Sequence, residues 1–420
     1  MEMSVECLGA SREVGRSAFL LRTDKKIMLD YGIKIFDQTG KPKFPIETGE
    51  RADFAVLSHA HLDHSGCIPS LYKNKNGRNG KLRWYATPPT KEICELLWQD
   101  SMKIMGPGLP YNLSHFNKAL KYWSPMLYNQ PIQTGGTRIR LTDAGHIAGA
   151  AIVEIEYGGR NVVYTGDFKC EETFMHRGAK AIEGADVLII ESTYANREHP
   201  PRKKMERLFM DEIRETIENG GNVLLPSFAL GRTQELVATI RHYDRDVPVF
   251  VDGMGRDVTK IYLRYPQYLR DPNTFRKNVR EVTMVGSMAD KRAATREPSV
   301  IISSAGMMNG GPVLNYLFNL RNNSKIIFTG YCVEGTNGWK LQKHGYITKE
   351  GQDLHVDLPV QYMDFSAHAG RTDLLYFIKK ANPGKVILVH GDTPQDFARE
   401  LKETHGYDTM APLPGERIML

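Results

Sequence analysis

Apolar residues recur along this chain in two rhythms, and the change between them divides it. In the first part, short alternating or continuous apolar stretches end at turn residues. They predict strands at Ser4–Ala10, Ser17–Thr23, Lys26–Leu29 and Asp53–Ser58. Helical periodicity follows at Pro89–Met105 and Asn112–Trp123. Strands return at Thr137–Thr142, Ala150–Tyr157 and Asn161–Thr165, the last two a hairpin on Gly158-Gly159, and then at Ala185–Ile190. Near Ala195 strands begin to alternate with helices: helix Arg202–Glu218, strand Asn222–Pro226, helix Arg232–Tyr243, strand Val249–Val251, strand Ser299–Ser303, a helix after Pro312 and strand Lys325–Thr329. That alternation predicts a parallel sheet with crossovers, a Rossmann-like layer. After His355 come the short apolar piece Met363–Phe365, helix Arg371–Lys380, strand Lys385–Val389 and a helix near Gln395–Thr404.

A chain of 420 residues exceeds one ordinary core and suggests two domains. Its longest apolar runs, such as Val187–Ile190 and Val386–Val389, fall far short of the roughly 18 residues of a membrane span. The acidic N-terminus runs straight into a strand and does not read as a signal peptide. Cys7, Cys67, Cys94, Cys170 and Cys332 form no C-x-x-C pair, so neither a disulfide framework nor a cysteine zinc site is expected, and a reducing cytoplasm is. Between Ala195 and His355 there are 24 Lys and Arg against 18 Asp and Glu, while the rest of the chain balances at 31 each. The whole positive excess sits in the middle segment, as a polyanion track would require, although an ordinary solvated surface has the same signature.

The densest chemistry lies in Ser58-His-Ala-His-Leu-Asp-His-Ser-Gly66, which carries His59, His61, Asp63 and His64. Asp53–Ser58 reads as a buried strand, and the residues from Asp63 towards Leu71 as the first turn of a helix. His59 and His61 alternate by two and face one way in extended backbone. Asp63 and His64 lie past the bend. One segment can therefore serve two metal ions, which predicts a two-metal hydrolase. Other candidates also follow strands: His146 after Thr137–Thr142, Asp167 after Asn161–Thr165, Glu191 after Val187–Ile190 and His390 after Lys385–Val389; His368 lies in Phe365-Ser-Ala-His-Ala-Gly370. Alone, His146 and Asp167 are common turn residues, and Glu191 could cap a turn with Ser192 and Thr193. Together they can converge on one edge.

The His-x-His-x-Asp-His run with His146, Asp167 and His390 resembles the metallo-β-lactamase superfamily. Pro226-Ser-Phe-Ala-Leu-Gly-Arg-Thr-Gln-Glu235, with Glu191-Ser-Thr-Tyr, Phe365-Ser-Ala-His and Val389-His-Gly, resembles its β-CASP nuclease branch, most closely the ribonucleases of the cleavage and polyadenylation specificity factor type in their short archaeal or bacterial form without KH domains. The resemblance implies an αββα sandwich split by an inserted Rossmann-like β-CASP domain: residues 1–194 and 356–420 for the sandwich, 195–355 for the insert. It implies two zinc ions per chain, one on His59, His61 and His146, the other on Asp63, His64 and His390, with Asp167 bridging and Asp30 supporting from beneath. Glu191, His368 and His390 match motifs A, B and C, and a histidine at motif C favours RNA over DNA.

The implied reaction is hydrolysis of single-stranded RNA by a water activated between two metals, internally or from a 5′ end, in RNA processing or decay. Asp63, Glu191 and His368 are the catalytic candidates, with His368 as general acid and Glu191 orienting it. Ser227, Arg232, Gly306, Gly310 and Gly311 are candidates to hold RNA phosphates on backbone N–H groups. The apolar tail Arg417–Leu420 is a candidate for pairing with a second copy in a homodimer. The rival readings are a small-molecule metallo-hydrolase, a non-catalytic RNA-binding scaffold and a DNA-processing enzyme.

Overall fold

The computed structural model describes residues 3–35, 41–73 and 81–420, which fall into two compact units. The first contains residues up to Glu172, Arg177–Glu198 and His368–Leu420; the second contains Thr173–His176 and His199–Ala367.

The first unit holds two seven-stranded sheets. One is ordered Arg417–Met419, Ser4–Cys7, Ala18–Arg22, Lys26–Tyr31, Phe54–Val56, Arg83–Ala86 and Trp123–Pro125. The other is ordered Thr409–Met410, Lys385–Val389, Val187–Glu191, Arg160–Tyr164, Ala151–Tyr157, Thr137–Asp143 and Ile132–Thr134. Period-two alternation decides which side chains meet between them. Phe19, Leu21, Ile27 and Leu29 from the first sheet share one core with Leu141, Val153, Ile155 and Ile189 from the second. Helices cover the outer faces. Trp98 of helix Pro88–Met105 packs in a tilted arrangement against Trp84 of the first sheet, ring centroids 5.6 Å apart. Phe377 of helix Arg371–Ala381 meets Phe168, just past the second sheet, at 4.7 Å. This is the expected αββα sandwich.

The second unit is built on a six-stranded sheet, parallel throughout: Thr283–Met284, Val249–Asp252, Val300–Ser303, Val223–Pro226, Lys325–Phe328 and Val360–Tyr362. Its central strands are buried on both faces. Leu225, Val251 and Ile302 enter one core, and Leu224, Ile301 and Ile326 the other, which is why they read as unbroken apolar runs.

Three details differ from the sequence reading. The helix expected from Asp63 is one turn, Leu62–Ser65, followed by a 3-10 segment at Ile68–Tyr72. Pro69 cannot continue the α-helical ladder, because it lacks an N–H and its ring crowds the carbonyl four residues back. The inserted unit extends beyond His355 to Ala367, because Val360–Tyr362 pairs with Lys325–Phe328 and Phe365 is buried in its core. The tail, read as a candidate for pairing with a second copy, is itself the edge strand of its own sheet: it lies antiparallel to Ser4–Cys7, with Ile418 buried in the sandwich core. The five cysteines are all unpaired, and among the described residues no helix is long and apolar enough to cross a membrane.

Candidate metal centre

Every proposed metal ligand lies in the first unit, in the segment that follows a strand, with Asp63 and His64 on the one-turn helix Leu62–Ser65. Beneath the ligands, Lys26–Tyr31 carries the supporting Asp30, fully buried with φ +55°. Its carboxylate accepts from the Ser58 N–H at 2.7 Å, the Ser58 hydroxyl at 2.7 Å and the Tyr164 hydroxyl at 2.6 Å, and lies 2.7 Å from His64 Nδ1. One carboxylate thus fixes the start of the histidine run and leaves His64 Nε2 to face Asp167 Oδ1 at 3.2 Å. Ser58 Oγ also stands 3.0 Å from His59 Nδ1, which leaves His59 Nε2 pointing inward.

The remaining ligands form two groups. In the first, His59 Nε2 is 3.2 Å from His61 Nδ1, and His146 Nε2 is 3.0 Å from that same nitrogen. Asp167 Oδ2 completes it, 3.5 Å from His59 and 3.9 Å from His146. In the second, His390 Nε2 is 3.2 Å from Asp63 Oδ2, and His390 Nδ1 is 3.3 Å from Asp167 Oδ1. Asp167 belongs to both groups, and in each the candidate ligand atoms all lie within 4.8 Å of one another. Metal bonds of about 2.0–2.2 Å make neighbouring tetrahedral ligands roughly 3.3–3.6 Å apart, so these edges suit a small cation.

Electrostatics support the same assignment. Burial keeps His59 neutral well below its ordinary range and pushes His61 down to about 4, which is the ligand form of imidazole. Burial alone would raise the Asp63 and Asp167 carboxyls, but nearby histidines, foremost His390, more than offset it and hold both below the usual range. For His64, burial opposes the proton, yet Asp167 and Asp30 draw it well upward. These carboxylates therefore call for positive charge, and a metal ion supplies it. Among the described residues the buried Asp167 Oδ1 has no well-aligned hydrogen bond, although His64 Nε2 and His390 Nδ1 lie 3.2 and 3.3 Å away, as suits a lone pair aimed at a shared cation.

Beside the two groups stands His368. Its Nδ1 is 3.0 Å from Glu191 Oε2 and 3.8 Å from Asp167 Oδ2. Burial lowers the affinity of the ring for a proton, but Glu191 and then Asp167 outweigh it and raise the value to about 9. Glu191 is held by the Phe168 N–H at 2.9 Å and the Thr193 hydroxyl at 2.6 Å. Thr193 Oγ1 also stands 3.2 Å from His390 Nδ1, tying the two motifs together. Ser58, Tyr164 and Thr193 were not singled out in the sequence, although all three flank residues that were.

The expected RNA contacts lie in the second unit. The Ser227 amide donates to the Ser303 carbonyl at 2.9 Å and the Arg232 amide to Leu230 at 2.9 Å, so neither remains for a phosphate. Ser227 is also fully buried, its hydroxyl 3.1 Å from that of Thr233. Gly306 packs against Phe228; Gly310 meets open space; and Gly311 has φ +80° beside Ser304.

An αββα sandwich with paired His and Asp groups at its strand ends, interrupted by a parallel-sheet unit, defines a metallo-hydrolase of the β-lactamase type. The chain matches the models of a β-lactamase superfamily domain at residues 25–219, a Beta-Casp domain at 233–341 and a Zn-dependent metallo-hydrolase RNA specificity domain at 353–412. It is 35% identical to RNase aCSPSF2 of Saccharolobus solfataricus, over all of this chain and 86% of that protein. It is 34% identical to Probable RNase MJ4 of Methanocaldococcus jannaschii over the full length of both, and 34% identical to Transcription termination factor FttA of the same organism, over 97% of this chain and 70% of that one. The chain belongs to the β-CASP ribonuclease family of the metallo-β-lactamase superfamily. A crystal structure of a protein of unknown function from Enterococcus faecalis shares the fold, with a TM-score of 0.65 and 13% identity across the whole of both chains.

Proposed function

We propose that this protein is a zinc-dependent ribonuclease that hydrolyses phosphodiester bonds of single-stranded RNA, with two zinc ions per chain. The observation that carries the reading is the sharing of Asp167 between two ligand groups, with the His368–Glu191 pair beside both. The relatives named as ribonucleases support RNA as the substrate class. Zinc bound there supplies a water nucleophilic at neutral pH and countercharge for the phosphoryl oxygens.

The chain's own residues do the rest. Asp30 and Ser58 hold His64 and His59 in one tautomer each, with the inward nitrogen unprotonated. Glu191 keeps His368 protonated and turned so that its proton can pass to the leaving 3′ oxygen. Because water attacks, the ribose 2′ hydroxyl takes no part, and the products carry a 5′ phosphate and a 3′ hydroxyl.

Metal analysis and RNA cleavage, run beside Asp167→Ala, test the reading. About two zincs per chain are expected, with activity lost in the variant. An Asp167→Ala chain cutting RNA as fast as the parent, or products ending in 2′,3′-cyclic phosphate, overturns it.

A further inference from the structure

On the second unit, three neighbouring parallel strands run out into aromatic side chains. Val223–Pro226 is followed by Phe228, Lys325–Phe328 by Tyr331, and Val360–Tyr362 ends in Tyr362 itself. These side chains are 36%, 61% and 42% exposed, on an edge where burial would have been favourable. The Phe228 ring is placed by glycine. A Cβ on Gly330 would lie 2.8 Å from its Cε2, and one on Gly306 would lie 3.2 Å from its Cγ. Neither glycine is needed for a left-handed turn; what each allows is close approach of the ring to backbone.

Four residues after Phe228, Arg232 opens the helix Arg232–Tyr243. Among the described residues no hydrogen bond or ion pair reaches its guanidinium, and its Nε is buried without a partner. Burial, then the like charge of Arg202, pushes its pKa down to about 10. The nearby carboxylate of Glu235 is already bound by Arg202. Tyr362 and the Asp364 carboxylate also lie close enough to act on the guanidinium, and Asp364 is 3.0 Å from His199 Nδ1. A desolvated cation left in this state is costly, and an anion relieves it.

We propose that this edge is a nucleotide-stacking site, in which unpaired RNA bases lie on Phe228, Tyr331 and Tyr362 while a phosphate between them meets the Arg232 guanidinium. The inference rests on the RNA reading above and adds how the strand is gripped. Aromatic faces accept any base and demand an unpaired one, because pairing in a duplex keeps both faces of a base stacked. The site therefore selects single strands without reading sequence.

The test uses the full chain carrying Asp167→Ala, so that RNA is not consumed. Binding is read by fluorescence anisotropy with a short unstructured RNA and with the same RNA made abasic. Phe228→Ala, Tyr331→Ala and Tyr362→Ala should each weaken binding to the intact RNA about five-fold or more, and leave binding to the abasic strand within about two-fold. Phe228→Tyr should bind like the parent. Arg232→Gln should weaken both RNAs and reduce the salt dependence by about one ion. Tyr331, the most exposed of the three, keeps the test valid if a Phe228 variant folds poorly. Aromatic variants that bind intact RNA like the parent, or lose intact and abasic RNA equally, overturn the proposal. A chain that shows the stacking contrast yet never cleaves RNA without the Asp167 change defeats only the nuclease reading. One that cleaves RNA while its aromatic variants bind normally defeats only the stacking site.

Discussion

Nδ1 of His368 lies 3.0 Å from Oε2 of Glu191, across 177 residues of sequence. That contact orients the histidine and favours its proton, and with Asp167 the pair makes a third group of ligand-type side chains beside the two four-residue groups. Substitution at His368 tests whether chemistry and metal binding separate. His368→Ala should lower RNA cleavage about 10²–10⁴-fold while zinc content stays near the parent value. Glu191→Gln should fall in the same direction by less. Cleavage rates beside metal analysis decide it, and full activity in His368→Ala would remove the histidine from the mechanism.

Asp30 is the common anchor of Ser58, His64 and Tyr164. Asp30→Asn keeps the shape and tolerates the positive φ, but leaves His64 without its carboxylate. Metal affinity should drop about 10- to 100-fold, measured by competition with a chelator. Tyr164→Phe, which removes one of several bonds to Asp30, should lose less.

Thr193 joins Glu191 to His390 through a single hydroxyl. Thr193→Val should reduce the cleavage rate about ten-fold with little change in KM, and Thr193→Ser should recover most of it. Equal losses in both would assign Thr193 to packing alone.

Away from the site, Glu50 accepts from Arg22 at 2.6 Å and pairs with Lys26 at 2.7 Å. Arg22, followed by Lys26, pulls its carboxyl down to about 2 against burial. A lowered folded value means that the stabilisation is fully present above the unfolded carboxyl value, near ~4.3, and is lost as pH falls towards about 2. Glu50 is a third exposed, so solvent screening limits the effect to about 1 kcal/mol or less. Urea unfolding of Glu50→Gln should show that deficit at pH 7, shrinking as pH is lowered below 4. A deficit unchanged at low pH would contradict the ion pair.

Much of the candidate centre was visible before any fold was known, for a physical reason. Metal ligands must be particular residue types, and turns at strand ends are where they can reach a common point. His59, His61, Asp63 and His64 therefore stand out as a cluster, while His146, Asp167, Glu191 and His390 each follow an apolar run that marks its strand. The residues that hold them were hidden. Tyr164 is an ordinary core tyrosine until its hydroxyl meets Asp30, 134 residues away. Thr193 is a turn residue until strand pairing brings His390 beside it. Ser227 looked available for phosphate because sequence cannot show that its amide already serves Ser303.

The residue pattern alone determined the kinds of element, the two rhythms and the ligand types, since each depends on local spacing and on the chemistry of single side chains. Tertiary structure alone decided where the insert returns to the sandwich, that Arg417–Met419 joins the edge of its own sheet, and that, among the described residues, the Arg232 Nε is buried without a hydrogen-bond partner. Those outcomes depend on which distant groups come to satisfy one another, and no spacing along the chain encodes that.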